Sequence, residues 1–205
     1  LSGPKDIDMS AVEEASGHLT DMGTKAMIAG GVLAGGLGLA VNEAVKFETA
    51  MTEVSTLVDT ATTDMNVLTG NVRNLSREIG AAPAETAKTM ATIIKGGFRD
   101  AAAATTVLEG SMKLADASFG DMTDTASSLT AIMNAYGVKA EGVTGVSDQL
   151  VVASQMGRTT VTELADSMRK VAPLASRAGV GLDELLAATS SLSGVMSTTE
   201  AVGAL

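Results

Sequence analysis

The chain carries one histidine, His18, and no cysteine among its 205 residues. A lone imidazole rules out a multi-histidine metal centre, and without thiols there is no disulfide framework or thiolate chemistry. His18 stands beside Leu19 in a short amphipathic stretch, so its reading is structural or solvent-facing and not catalytic. Asp121 and Asp124 stand three residues apart, and Asp183 follows a Val180–Gly181 turn. Both places look like helix starts, where a carboxylate interacts favourably with exposed amides and the helix dipole. Capping explains them better than an acid–base pair does. The serines and threonines sit near caps and on polar faces, and none has a base beside it that would activate it as a nucleophile. No glycine-rich turn carries the GxxxxGK[ST] spacing that cradles phosphate. The residues therefore point to no catalytic, cofactor-binding or metal-binding group. They read as a helical structural or interaction protein and not an enzyme.

The one unusual stretch is AMIAGGVLAGGLGLAV, residues 26–41, which has no charge and five glycines: Gly30, Gly31, Gly35, Gly36 and Gly38. At about 1.5 Å per residue it would reach about 24 Å, short of the roughly 30 Å hydrocarbon core of a bilayer. It is not a secretory signal, because 25 residues with more acids than lysines precede it. Gly31 and Gly35 form a GxxxG pair, and Ala34 and Gly38 repeat the small-residue spacing. Each glycine costs a helix roughly 1 kcal/mol relative to alanine, and close backbone approach to a neighbouring helix offsets that cost. The stretch is expected to be a tightly packed helix with a latent capacity for membrane engagement.

Composition constrains the remainder. Hydrophobic residues make up 45% of the chain but aromatics only 2%, so twelve methionines and many alanines must fill the interior. The formal net charge of −10 disfavours binding to a phosphate backbone. Residues 65–100 are locally basic, through Arg73, Arg77, Lys88, Lys95 and Arg99 spread over two helices. Without interleaved aromatics they read as a solvated face, and no sequence-specific nucleic-acid binding is expected.

The elements that must position all this are helices. Ser10 and Glu13 have capping-box spacing, and a helical stripe follows through Val12, Ala15, Leu19 and Met22. Phe47, Met51, Val54 and Val58 form the next stripe, then Leu68, Val72, Leu75 and Ile79, closed by Gly80. Pro83 suits the first turn of a helix that carries Met90, Ile93 and Ile94. Asp100 and Asp121 can cap the next two. Val146, Leu150 and Ala153 mark a helix that stops near Gly157. Thr160 and Glu163 form a second capping box, on a helix where Pro173 predicts a kink. A helix with Leu182, Leu185, Leu186 and Leu192 follows, and Ser197 with Glu200 forms a third box. Several helices end in glycine followed by an apolar residue: Gly97–Phe98, Gly137–Val138, Gly179–Val180 and Gly194–Val195. That order suits a left-handed cap whose next side chain folds back on the last turn. No segment alternates with period two. The expectation is an all-α bundle of about eight helices of 12–20 residues with glycine-terminated ends and no sheet. Two regions are expected: 1–46, with the N-terminal and glycine-rich helices, and a helical core, 47–205. The start at Leu1 and the third box just before Leu205 suggest a piece of a longer polypeptide.

From Phe47 onward the order of phrases resembles the conserved core region of the tail tape measure proteins of tailed bacteriophages. The phrases are FETAMTEV (47–54), LSREIGA (75–81), PAETAKTMATIIKGGF (83–98), LTAIMNAYGV (129–138), VTELADSMRKVAPLASRAGVGLDELLAATSSLSGV (161–195) and TEAVGAL (199–205). Lys95–Gly96 departs slightly, since relatives commonly carry alanine there. The resemblance implies a structural virion protein in the tail lumen or at the tail tip. Such a protein sets tail length, takes part in tail assembly, and leaves ahead of the DNA at infection. It implies a homo-oligomer, a trimer, with tail tube and tail-tip or baseplate proteins as partners and the host envelope as a later contact. No cofactor is implied. The residues also admit a second reading, a membrane-active pore-forming or toxin-like helical protein, motivated by residues 26–41 beside amphipathic helices.

Overall fold

The computed structural model of the chain describes residues 41–193. His18, the five glycines of the 26–41 run, and the Gly194–Val195 and Ser197–Glu200 features lie outside these residues. The chain divides into two compact units, Leu1–Val45 and Lys46–Leu205, and nearly all described residues belong to the second.

Eight α-helices and one short 3-10 turn make up the described residues, with no strand among them. Residues 41–57 are helical (α1). They are followed by α2 (Met65–Ile79), α3 (Pro83–Lys95), α4 (Ala101–Ser118) and α5 (Met122–Ala135). A 3-10 turn (Ala140–Gly142) then leads into α6 (Val143–Gly157), α7 (Val161–Arg177) and α8 (Leu182–Ser193). The helices with both ends described run from 13 to 18 residues.

Local chemistry explains the boundaries. Asp100 accepts from the amide of Ala103 at 2.8 Å and Asp121 from that of Asp124 at 2.8 Å. Thr160 and Glu163 form the reciprocal box, with Glu163 N–H donating to Thr160 Oγ1 at 3.1 Å. Pro83 occupies the first turn of α3. Gly97, Gly137 and Gly179 take positive φ values of 120°, 65° and 83°. After each, the apolar residue's amide reaches back five residues: Phe98 to Ile93 O, Val138 to Met133 O and Val180 to Ala175 O. This is the expected Schellman geometry.

Three boundaries carry caps that the sequence pattern does not announce. Helix α2 is capped by Asp64, whose carboxylate accepts from Asn66 and Val67. The left-handed residue ending α4 is Phe119 (φ 53°), and the one ending α6 is Arg158 (φ 52°), not glycine. Helix α6 stops at Gly157, as its spacing predicts, and Gly157 is buried. Its missing side chain answers a packing need: a Cβ there would stand 3.1 Å from Ser190 Cα on α8. Helix α7 runs uninterrupted through Pro173 from Val161 to Arg177, with the proline on its exposed side.

The core is built from what the composition supplies. Met90, Met112, Met133 and Met168 are fully buried beside Ile93, Ile94, Leu108, Leu129, Ile132, Leu150 and Leu164. Helix α5 is central: it packs most extensively on α7, then on α4 and α3. Helix α6 packs chiefly on α8 and α4. Hydroxyls inside the core are mostly satisfied within their own helix, as Thr86 on Ala82 O, Thr89 on Glu85 O and Ser111 on Val107 O. A threonine or serine bonded in this way is small and polar-neutral, so helices approach closely without an orphaned polar group.

Candidate functional site

Among the described residues, the candidate acidic residues sit at helix starts. Asp121 caps α5, and Asp124 lies in its first turn. Asp183 lies in the first turn of α8. Of the basic residues in 65–100, Arg73 stacks over the ring of Phe47 at 4.7 Å from its centroid. Arg77 bonds to Asn74 and to the Arg73 carbonyl on its own helix. Lys95 pairs with Glu53 of α1. Arg99 lies in the connection after α3, not on a helix. Among the described residues, no three of the His, Cys, Asp and Glu type converge as metal ligands.

Three of the four perturbed ionisations among the described residues belong to surface bonding. The Thr159 hydroxyl, helped by the Thr160 amide and hydroxyl, holds the Glu163 carboxyl below its usual range. Lys170 and Arg169 hold Asp166 low. Glu109 raises Lys113. Burial of its hydroxyl, with the nearby charge of Asp183, pushes Tyr136 up. The Tyr136 hydroxyl is buried and accepts or donates no hydrogen bond among the described residues, as are those of Thr125, Thr130 and Ser147. None of these groups combines a poised base with a nucleophile.

Among the described residues, the distinctive features are surface clefts. A cleft of about 500 Å³ lies between the α1–α2 connection, α2 and the start of α4, lined by Asp64, Asn71, Asp100 and Thr105. A polar cleft of about 380 Å³ runs along α5 and α7 past Thr125, Ser128, Thr162 and Arg169. A third, of about 310 Å³, lies between α6 and α8. Its walls are Val152, Ala153, Met156, Leu186 and Ala187, with Asp148 and Asp183 on the rim. Val152 and Met156 are 55% and 69% exposed. The periodicity of α6 places Leu150 and Ala153 inside, but it gives no sign that Val152 and Met156 stay in solvent.

Residues 69–205 match the family model described as phage-related minor tail protein. The chain belongs to the phage minor tail proteins. It is also 28% identical over 183 residues to a "Probable tape measure protein" of Clostridium phage phiCD119, covering 85% of this chain. The chain spans about a fifth of that relative's length, 19%. No solved structure matches it. Membership makes this chain a phage tail protein. The family is structural, which accords with a described region whose polar groups cap helices and pair on the surface.

Proposed function

We propose that the chain is a segment of a tail tape measure protein, acting in tail-length determination, tail assembly and passage of DNA at infection. The observation that carries this reading is the similarity to a probable tape measure protein over 85% of the chain, supported by the family match. The physical character of the described core suits it. Methionine, alanine and hydroxyl side chains fill the interior with few bulky aromatic anchors, and such packing tolerates rearrangement more readily than an aromatic-rich core. The role is structural, in the tail lumen or at its tip, with tail tube and tail-tip or baseplate proteins around a homo-oligomer, a trimer.

The glycine-rich stretch 26–41 belongs to the same reading. Gly30, Gly31, Gly35, Gly36 and Gly38 give a small-residue face for close helix packing while the particle is intact, and for membrane engagement after release. Among the described residues no helix is long and apolar enough to cross a membrane.

The test is made on particles. Mass spectrometry of purified virions should find the chain in the tail. In-frame shortening of the parent polypeptide should shorten the tail in proportion, as measured by electron microscopy. Absence of the chain from particles, or tails of unchanged length, would refute the assignment.

A further inference from the structure

We propose that the apolar groove between α6 and α8 is filled by the outer face of α7 from a second copy of this chain. The groove offers exposed Val152 and Met156 above buried Leu186, and its rim carries Asp148 and Asp183 with no basic residue. A surface of this kind takes an aliphatic knob flanked by positive charge. The chain displays such a knob elsewhere. Leu174 is 66% exposed on α7. Lys170, Pro173, Leu174 and Arg177 follow helical spacing, and all four are exposed.

Arg177 makes no ion pair among the described residues, whereas Lys170 is held by Asp166 at 2.9 Å. The guanidinium is therefore the cation available to the acidic rim. In a chain of net charge −10, the segment 169–177 is a local cationic island, so steering would favour this pairing over other approaches of two acidic molecules. Docking removes Leu174, Val152 and Met156 from water together. The groove's 310 Å³ has room for more than one aliphatic side chain.

Knob and groove are different surfaces, so each copy gives one surface and receives one. Such contacts close reciprocally in a two-fold dimer, close into a ring, or run on as an open array. Closure adds to the pairwise affinity of one contact, because the closing contact forms within the assembly at high effective concentration. The inference deepens the homo-oligomer reading above and rests on it.

The test is sedimentation velocity on the 205-residue chain and two single variants, Leu174→Asp and Met156→Glu. Both substitutions are at exposed positions, and unchanged thermal melting would verify the fold. Each variant alone should associate at least about tenfold more weakly than wild type. The decisive arm is the mixture. One variant keeps its groove and the other its knob, so together they should form a 1:1 heterodimer that neither forms alone. A wild-type chain that is monomeric at its highest soluble concentration overturns the proposal. So does self-association unmoved by both substitutions, or a mixture without heterodimer. Incorporation of the same variants into virions, followed separately, distinguishes failure of this interface from failure of the tail assignment.

Discussion

The side-chain amide of Asn134, near the end of α5, donates to the carbonyl of Gly96, the residue that closes α3, across 38 positions of sequence. It satisfies a carbonyl that the helix itself leaves without a partner. The same amide fills the space beside Gly97, where a Cβ would stand 3.3 Å from Asn134 Nδ2. Asn134→Ala should therefore cost about 1 kcal/mol in urea unfolding. Asn134→Asp should cost more at neutral pH, because a carboxylate cannot donate to a carbonyl and opposes the negative end of α5. Equal stability of the two variants would remove this role.

The glycine caps and the packing glycine should fail in different ways. Nothing lies within 4 Å of where a Cβ would sit at Gly137 or Gly179, so substitution there meets only the backbone cost of positive φ. Gly137→Val and Gly179→Val should each destabilise by more than about 1 kcal/mol. At Gly157 the obstacle is the Ser190 backbone. Gly157→Val should cost about 1–3 kcal/mol by forcing α6 and α8 apart. Amide exchange would tell them apart, since only the Gly157 variant should loosen α8.

Phe119 predicts a gain. It holds a left-handed conformation at φ 53° with its side chain wholly exposed. A non-glycine residue is disfavoured there, and no burial compensates. Phe119→Gly should raise stability by about 0.5–1 kcal/mol. A loss of stability in chemical denaturation would show that the ring is anchored.

Glu163 predicts a pH dependence. The Thr159 hydroxyl, then the Thr160 amide and hydroxyl, stabilise its charged form and lower its folded-state pKa. A depressed carboxylate contributes stability that is present above the unfolded value, about 4.3. That contribution is lost as pH falls through the lower folded value. Glu163→Gln should therefore be less stable than wild type at pH 7, with the difference shrinking as pH drops below about 4. A constant difference across that range would exclude the linkage. Thr160→Ala, which removes the other half of the box, should cost about 1 kcal/mol.

Much of the fold is legible in the chain because its determinants are local. Asp100, Asp121 and the Thr160–Glu163 box start helices through bonds within one turn. Gly97, Gly137 and Gly179 stop them because few other residues accept positive φ. The stripe at Leu68, Val72 and Leu75 announces its buried face by spacing alone. The family likeness was equally visible, since it rests on the order of such phrases.

Tertiary structure decided what no single helix contains. Gly157 reads like a terminator, and α6 does stop there, but it is also a contact point, and only the approach of Ser190 from α8 reveals that. Phe119 and Arg158 end helices in the left-handed conformation without glycine, which their own φ preference does not announce. The candidate site is of the same kind. Val152, Met156 and Leu174 follow ordinary apolar spacing, and the sequence cannot say which apolar residues remain uncovered. Exposure depends on how many neighbours surround a helix, and that is set by the assembly of all of them and not by the pattern of any one.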